Sequence, residues 1–201
     1  MRKDFSIQEY LSLGYIYLLI LGILSDTIYY HFIGINILDY AGILDVLISP
    51  IALLTVHYLI PIALVLVGGL AYMAVVHINP EVHRRFRTKR WYSKLYNVDK
   101  LDAKYNGAPN TDQLISLLAG FVLAFYLGMG LGRGLNQKNK IAENDIKVDH
   151  QILFQDNTEE KVKIVGKNSL YLFYLPEGKT DVIISPIEYN VKKIIKLEEK
   201  E

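Results

Sequence analysis

Residues 113–135 read QLISLLAGFVLAFYLGMGLGRGL, and Arg133 is the one charged residue among them. A hydrocarbon layer is about 30 Å thick, and about 20 apolar residues of helix cross it. A run of this length and polarity predicts a transmembrane helix rather than a core helix of a soluble domain. Within it Ser116, Gly120, Ala124, Gly128 and Gly132 recur every fourth residue. Positions i and i+4 share a helix face, and small side chains there let two backbones approach closely. Two uses of that face stay open. It packs on another span of the same chain, or it packs copies of the chain around an axis and lines a pore. Gly130 and Gly134 add to the small surface, and since each glycine weakens a helix by up to about 1 kcal/mol, the 128–134 end also reads as a hinge.

Two more apolar stretches occupy residues 10–33 and 50–78. From 10 to 78 there is no Lys or Arg, and Asp26, Asp39 and Asp45 are the only acids. By contrast, residues 136–201 carry 11 Lys/Arg and 12 Asp/Glu. The chain has 201 residues, is 51% hydrophobic and has a mean hydropathy of +0.20. Charges are segregated rather than interspersed, which argues against a soluble enzyme. A net charge of +1 argues against a nucleic-acid binder that relies on bulk charge. With no Cys, disulfides, thiolate catalysis and Cys-ligated metals are excluded. The 10–33 run exceeds a signal h-region of about 7–15 residues, and Tyr29-Tyr30-His31-Phe32 reads as an interfacial aromatic belt, so it is expected to be a first span. The second span is expected to start with Pro50 in its first turn, to kink at Pro61 and to end at Asn79-Pro80. Residues 34–49, with two acids, suit an interfacial or re-entrant segment.

Residues 79–110 hold eight Lys/Arg (Arg84, Arg85, Arg87, Lys89, Arg90, Lys94, Lys100, Lys104) against three acids. The excess of positive charge predicts that this loop and the N-terminus face the cytoplasm of a multi-pass bacterial inner-membrane protein. Three-span parity then sends the C-terminal domain outside, while Arg133, Lys138, Lys140 and Lys147 pull that end inward, so its side stays open. The basic run around Arg84, Arg85, Arg87, Lys89, Arg90 and Trp91 is expected to anchor on anionic headgroups. Arginines and aromatics also pair phosphates and stack on bases, which leaves a nucleotide or a regulatory protein as an alternative partner.

Ionisable groups in or beside a membrane are functional candidates. Asp26, Asp39, Asp45 and His57 are therefore expected on an ion path or gate. No HExxH, GxSxG, Walker A or strand–turn–helix GxGxxG occurs, so neither a catalytic constellation nor a metal or cofactor is implied. Between residues 146 and 201, five β-prone stretches (146–155, 161–166, 170–175, 181–185, 191–197) are separated by turn residues. They predict a small SH3-like or Sm-like barrel after a 136–145 linker.

The stretches Phe32-Ile-Gly-Ile-Asn-Ile-Leu-Asp-Tyr40, Leu44-Asp-Val-Leu-Ile-Ser-Pro50, Val165-Gly-Lys-Asn-Ser-Leu-Tyr-Leu-Phe-Tyr174, Ile184-Ser-Pro-Ile187 and Asn190-Val-Lys-Lys-Ile194 resemble a set of small bacterial membrane proteins. Several spans followed by a β module is similar to the membrane effectors of antiphage defence systems of the Hailong kind. The order of elements is also similar to small-conductance mechanosensitive channels. The resemblance brings no residue-level roles, and the expectation is a homo-oligomeric pore or channel-like protein that acts as a membrane-disrupting antiphage effector. The rival expectation is a non-conducting membrane adaptor that binds a partner through the β module or the basic loop.

Overall fold

A computed structural model describes residues 6–55, 58–105 and 111–197. Helix α1 (Ile7–Phe32) opens with a capping box. The Ser6 N–H donates to Glu9 at 2.7 Å and the Glu9 N–H to the Ser6 hydroxyl at 3.3 Å, which satisfies two orphan donors of the first turn. It closes on Gly34, whose φ of +79° is available to glycine at little cost. A 3-10 turn (Ile37–Asp39) leads to α2 (Ile43–Thr55), and α3 (Leu59–Met73) follows.

The second apolar helix therefore starts at Leu59, not at Pro50. Pro50 is buried inside the separate 13-residue α2, and Pro61 stands in the first turn of α3, where its missing N–H leaves no helical bond unmade. Nor does Asn79-Pro80 end the helix. A π-helical turn (Ala74–Ile78) passes the Asn79 N–H to the Ala74 carbonyl, and α4 (Asn79–Phe86) continues beyond it. A π turn shifts the ladder by one residue, so a proline without an N–H is accommodated. The expected basic loop is folded into α4, α5 (Arg90–Leu95) and α6 (Val98–Tyr105), and α7 (Thr111–Ala142) runs on through most of the expected linker. Among the described residues, three helices are long and apolar enough to cross a membrane: Ile7–Phe32, Leu59–Phe86 and Ile115–Ala142.

The chain forms two compact units. One unit runs to Leu53 and resumes at Tyr126; the other is Leu54–Phe125. In the first, α1 and α7 run parallel. A Cβ on Gly130 would lie 2.7 Å from the Ser25 carbonyl oxygen, and one on Gly134 would lie 2.6 Å from Cδ2 of Phe32. In the same unit, Gly22 lets α1 meet α2, because a Cβ there would lie 2.0 Å from the Val46 carbonyl oxygen.

The C-terminal part is an antiparallel sheet of β1 (His150–Phe154), β2 (Glu159–Lys167), β3 (Tyr171–Pro176), β4 (Ile183–Pro186) and β5 (Val191–Lys196), in the order β4-β3-β2-β1-β5. All five strands form, but the sheet is not a closed barrel. β4 has four residues and ends in Pro186, which has no N–H to donate, and β5 presents Lys192, Lys193 and Lys196. Both features keep sheet edges apart. Central β3 is apolar throughout because both its faces are covered. Leu172 and Tyr174 join Ile152 and Val162 on one side. Phe173 and Leu175 join Val165, Tyr29, Tyr30, Ile35 and Ile37 on the other. The sheet is thus seated on the end of α1 and the turn that follows it.

Candidate functional site

Helix α7 has two contrasting faces. Tyr126, Gly130 and Gly134 are buried, and the Tyr126 hydroxyl donates to the Pro50 carbonyl at 2.8 Å. Ser116, Gly120, Ala124, Gly128 and Gly132 are all exposed. A Cβ added at Gly120, Gly128 or Gly132 would meet nothing within 4 Å among the described residues. The periodic small face is therefore not the face that packs inside the chain. At about 100° per residue, Gly128 and Gly132 lie some 160° around the helix from Gly130. The intrachain contact uses the two glycines outside the four-residue register.

The ionisable candidates separate. Asp26, late in α1, accepts a hydrogen bond from Ser49 of α2 and feels the Arg133 guanidinium of α7. That guanidinium lies over the Tyr29 ring, 4.7 Å from its centroid, a cation–π distance. Arg133 thus serves as a partner within the chain, and an acid and a base in an apolar stretch compensate each other. Beside them the Thr27 hydroxyl oxygen is buried without a hydrogen-bond partner among the described residues. Asp45 is elsewhere, in the first turn of α2. It accepts from the Gly42 N–H at 3.0 Å, the Ser169 N–H at 3.0 Å and the Ser169 hydroxyl at 2.9 Å. Asp39 is exposed on the 3-10 turn, and its carboxylate has no partner among the described residues. His57 lies outside the described residues. Asp26, Asp39 and Asp45 therefore do not form one cluster within the chain.

Asp45 belongs to a latch between the β2–β3 hairpin and the segment that joins α1 to α2. The Asn168 side chain donates to the Tyr40 carbonyl at 3.1 Å, and the Tyr29 hydroxyl donates to the Val165 carbonyl at 2.7 Å. The β2–β3 register shifts between Ile164 and Gly166, a bulge that re-aims the backbone. Gly166 admits the Tyr30 hydroxyl so closely that a Cβ would stand 2.0 Å from it.

In the other unit the basic segment is a small helical knob built on His83, which is buried. Its Nδ1 lies 3.2 Å from the Tyr92 hydroxyl and its Nε2 lies 2.9 Å from Asp102. The Tyr92 and Tyr105 rings pack on it at 5.7 and 5.4 Å. The hydrogen bond to His83, with Arg87 at 3.4 Å, holds the Asp102 carboxyl below the usual aspartate range. Burial, then the neighbouring Tyr105 and Tyr96 phenols, push Tyr92 up. Arg84 pairs with Glu81 at 2.9 Å. Arg85, Lys89, Arg90 and Trp91 are exposed, and the first three make no side-chain ion pair among the described residues. His83, Tyr92 and Asp102 carried no signal in sequence. They are 9 and 19 residues apart, with no shared helical period. No group of three or more His, Asp or Glu that could hold a metal ion is found among the described residues.

Comparison with protein-family models, curated proteins and solved structures finds no match for this chain.

Proposed function

We propose that the protein is the subunit of a homo-oligomeric membrane pore in which the small-residue face of α7 is the contact between copies. The observation that carries this reading is the division of α7. One glycine face is filled by α1, and the other, five small residues in register, is bare in the protomer. Helices in lipid associate by close backbone packing, and a bare small-residue face is a surface for such packing. The parallel course of α1 and α7 supports a crossing between them, as three spans require. The latch of the β module on Tyr40 and Asp45 supports one side for the module and for residues 34–49. With the basic knob cytoplasmic, that side is the outside of the inner membrane. In a symmetric ring Asp39, exposed and unpartnered, would supply the acids of a mouth that favours cations.

Purified protein in planar bilayers tests the reading. Cation-selective conductance that falls on Asp39→Asn, with oligomer size unchanged, is the expected result. Overexpression should then depolarise the cell, the behaviour of a membrane-disrupting effector. Silent bilayers across voltage, tension and pH would instead support the second reading, a non-conducting adaptor. The observation favouring that one is the exposed set Arg85, Lys89, Arg90 and Trp91 on a rigid knob, a surface for headgroups or an acidic partner. In either case the protein is not proposed to be an enzyme. A single Cys at position 95, in a chain with no native Cys, should resist an impermeant reagent in intact spheroplasts. Its labelling would overturn the orientation.

A further inference from the structure

Past the apolar end of α7, the chain encloses a cavity of about 260 Å³ lined by Gln137, Lys140, Asp145, Ile146, Lys147 and Lys163. The cavity exists because the helix is turned back on itself. Asn144 is left-handed, with φ of +52°. Its N–H donates to the Ile141 carbonyl at 3.2 Å, and the Asp145 N–H donates to the Lys140 carbonyl at 2.9 Å. These two bonds occupy carbonyls at the negative end of the helix and fold residues 145–147 against its last turns. β2 then contributes Lys163 from the sheet.

Three lysines thus line one space, the exposed Lys140 of α7, the exposed Lys147 of the segment after it and the half-buried Lys163 of β2, and the acids around it do not match them. Lys163 is paired with Asp149, whose carboxylate also takes the His150 Nδ1 at 2.7 Å. Burial alone would raise that carboxyl. Lys163 and His150 outweigh the burial and leave it below the usual aspartate range, so this pair is self-contained. Asp149 does not line the cavity, and Asp145 is the one acid that does. Lys140 and Lys147 make no ion pair among the described residues. Two unpaired cations held beside one carboxylate repel each other in a partly enclosed space, and an anion entering there would relieve the repulsion. Gln137 adds an amide donor. The cavity begins two residues after Leu135, where the apolar run of α7 gives way to Lys138 and Lys140. For a helix that crosses a membrane this is the headgroup level, and basic pockets at that level take lipid phosphates.

We infer that this cavity is a phosphate seat, with Lys140 and Lys147 as the cations that hold the anion and Lys163 as a wall fixed by Asp149. The inference rests on the membrane reading for its lipid source only; the site itself does not need a pore. Full-length protein in non-ionic detergent, stripped of lipid, is offered phosphatidylglycerol or phosphatidylcholine of the same acyl composition and examined by native mass spectrometry. Inorganic phosphate is titrated separately and followed by 31P NMR. Preferential retention of phosphatidylglycerol identifies a headgroup. Binding of inorganic phosphate without lipid preference identifies a soluble phosphate. Either must weaken roughly thirtyfold in Lys140→Gln/Lys147→Gln, the loss expected for two cations facing one phosphate. It must survive in Lys140→Arg/Lys147→Arg, which keeps both charges. Lys179→Gln/Lys193→Gln removes the same net charge elsewhere and should leave binding unchanged. Equal retention of the two lipids with no phosphate binding overturns the inference. So does a control variant that loses as much as Lys140→Gln/Lys147→Gln, or a variant of Lys140 and Lys147 that loses nothing. A non-conducting protein that still binds through Lys140 and Lys147 would overturn the pore and leave the seat intact.

Discussion

The two faces of α7 are alike in composition and opposite in use. On one, Gly130 and Gly134 are pressed by the Ser25 carbonyl and the Phe32 ring. On the other, Gly128 and Gly132, each two residues from Gly130, meet nothing within 4 Å among the described residues. Glycine makes close approach possible on both. What selects the inner face is the shape of α1, whose backbone at Ser25 comes within reach of Gly130 and whose Phe32 overlies Gly134. The contrast separates packing needed to build the fold of one chain from a surface that the chain leaves open. Each face can be broken without the other.

The largest effect should come from the inner face. Gly130→Ala puts a methyl 2.7 Å from a backbone carbonyl oxygen, which cannot move as the end of a flexible side chain would. It should cost about 1–3 kcal/mol, read as a lower Tm in detergent. Gly128→Ala should leave Tm unchanged or raise it slightly, since alanine favours helix by up to about 1 kcal/mol. If the two alanine variants behave alike, the division of faces is wrong. Next, Gly128→Leu should leave the protomer's Tm intact and shift the protein to smaller species in light scattering. Unchanged oligomer size would mean that the bare face is not a contact.

A smaller effect is expected at the latch. Ser169→Ala removes the hydroxyl bond to Asp45 and leaves the backbone bond. A loss of about 0.5–1.5 kcal/mol is expected, seen as faster hydrogen exchange in the β2–β3 hairpin, with α7 unaffected. The smallest concerns the knob. Asp102 is lowered in the folded chain, chiefly by its hydrogen bond to His83. Its contribution is therefore present above the ordinary aspartate value, near pH 3.9, and is lost as pH falls through the lower folded value. Fluorescence of the single Trp91, packed 5.6 Å from Phe86, should report that loosening below about pH 4 and not above it. Asp102→Asn should abolish the transition.

The stripe on α7 was legible because its period of four is local, and a helix converts local period into a face. Its bareness was not, since Gly130 and Gly134 differ from it only in what α1 brings to them. Of the ionisable candidates, Asp26, Asp39 and Asp45 were singled out by polarity alone. Their division into an Arg133 partner, a bare carboxylate and a Ser169 latch depends on contacts across up to 124 residues. The cluster on His83 followed no local period, because Tyr92 and Asp102 become its neighbours only when α4, α5 and α6 fold together.

Residue order alone specified the element types. Apolar runs near 20 residues, a charge-rich tail and alternating β-prone stretches fix three apolar helices and five strands, since hydropathy and period are properties of consecutive residues. The helix limits at Leu59 and Phe86, the open sheet and the pairing of faces were decided by the tertiary structure. A π turn absorbs Pro80, β4 ends in Pro186, and the backbones of α1 and α7 meet at glycines. Each of these depends on where a hydrogen-bond partner or a neighbouring atom stands in space, which residue order alone does not specify.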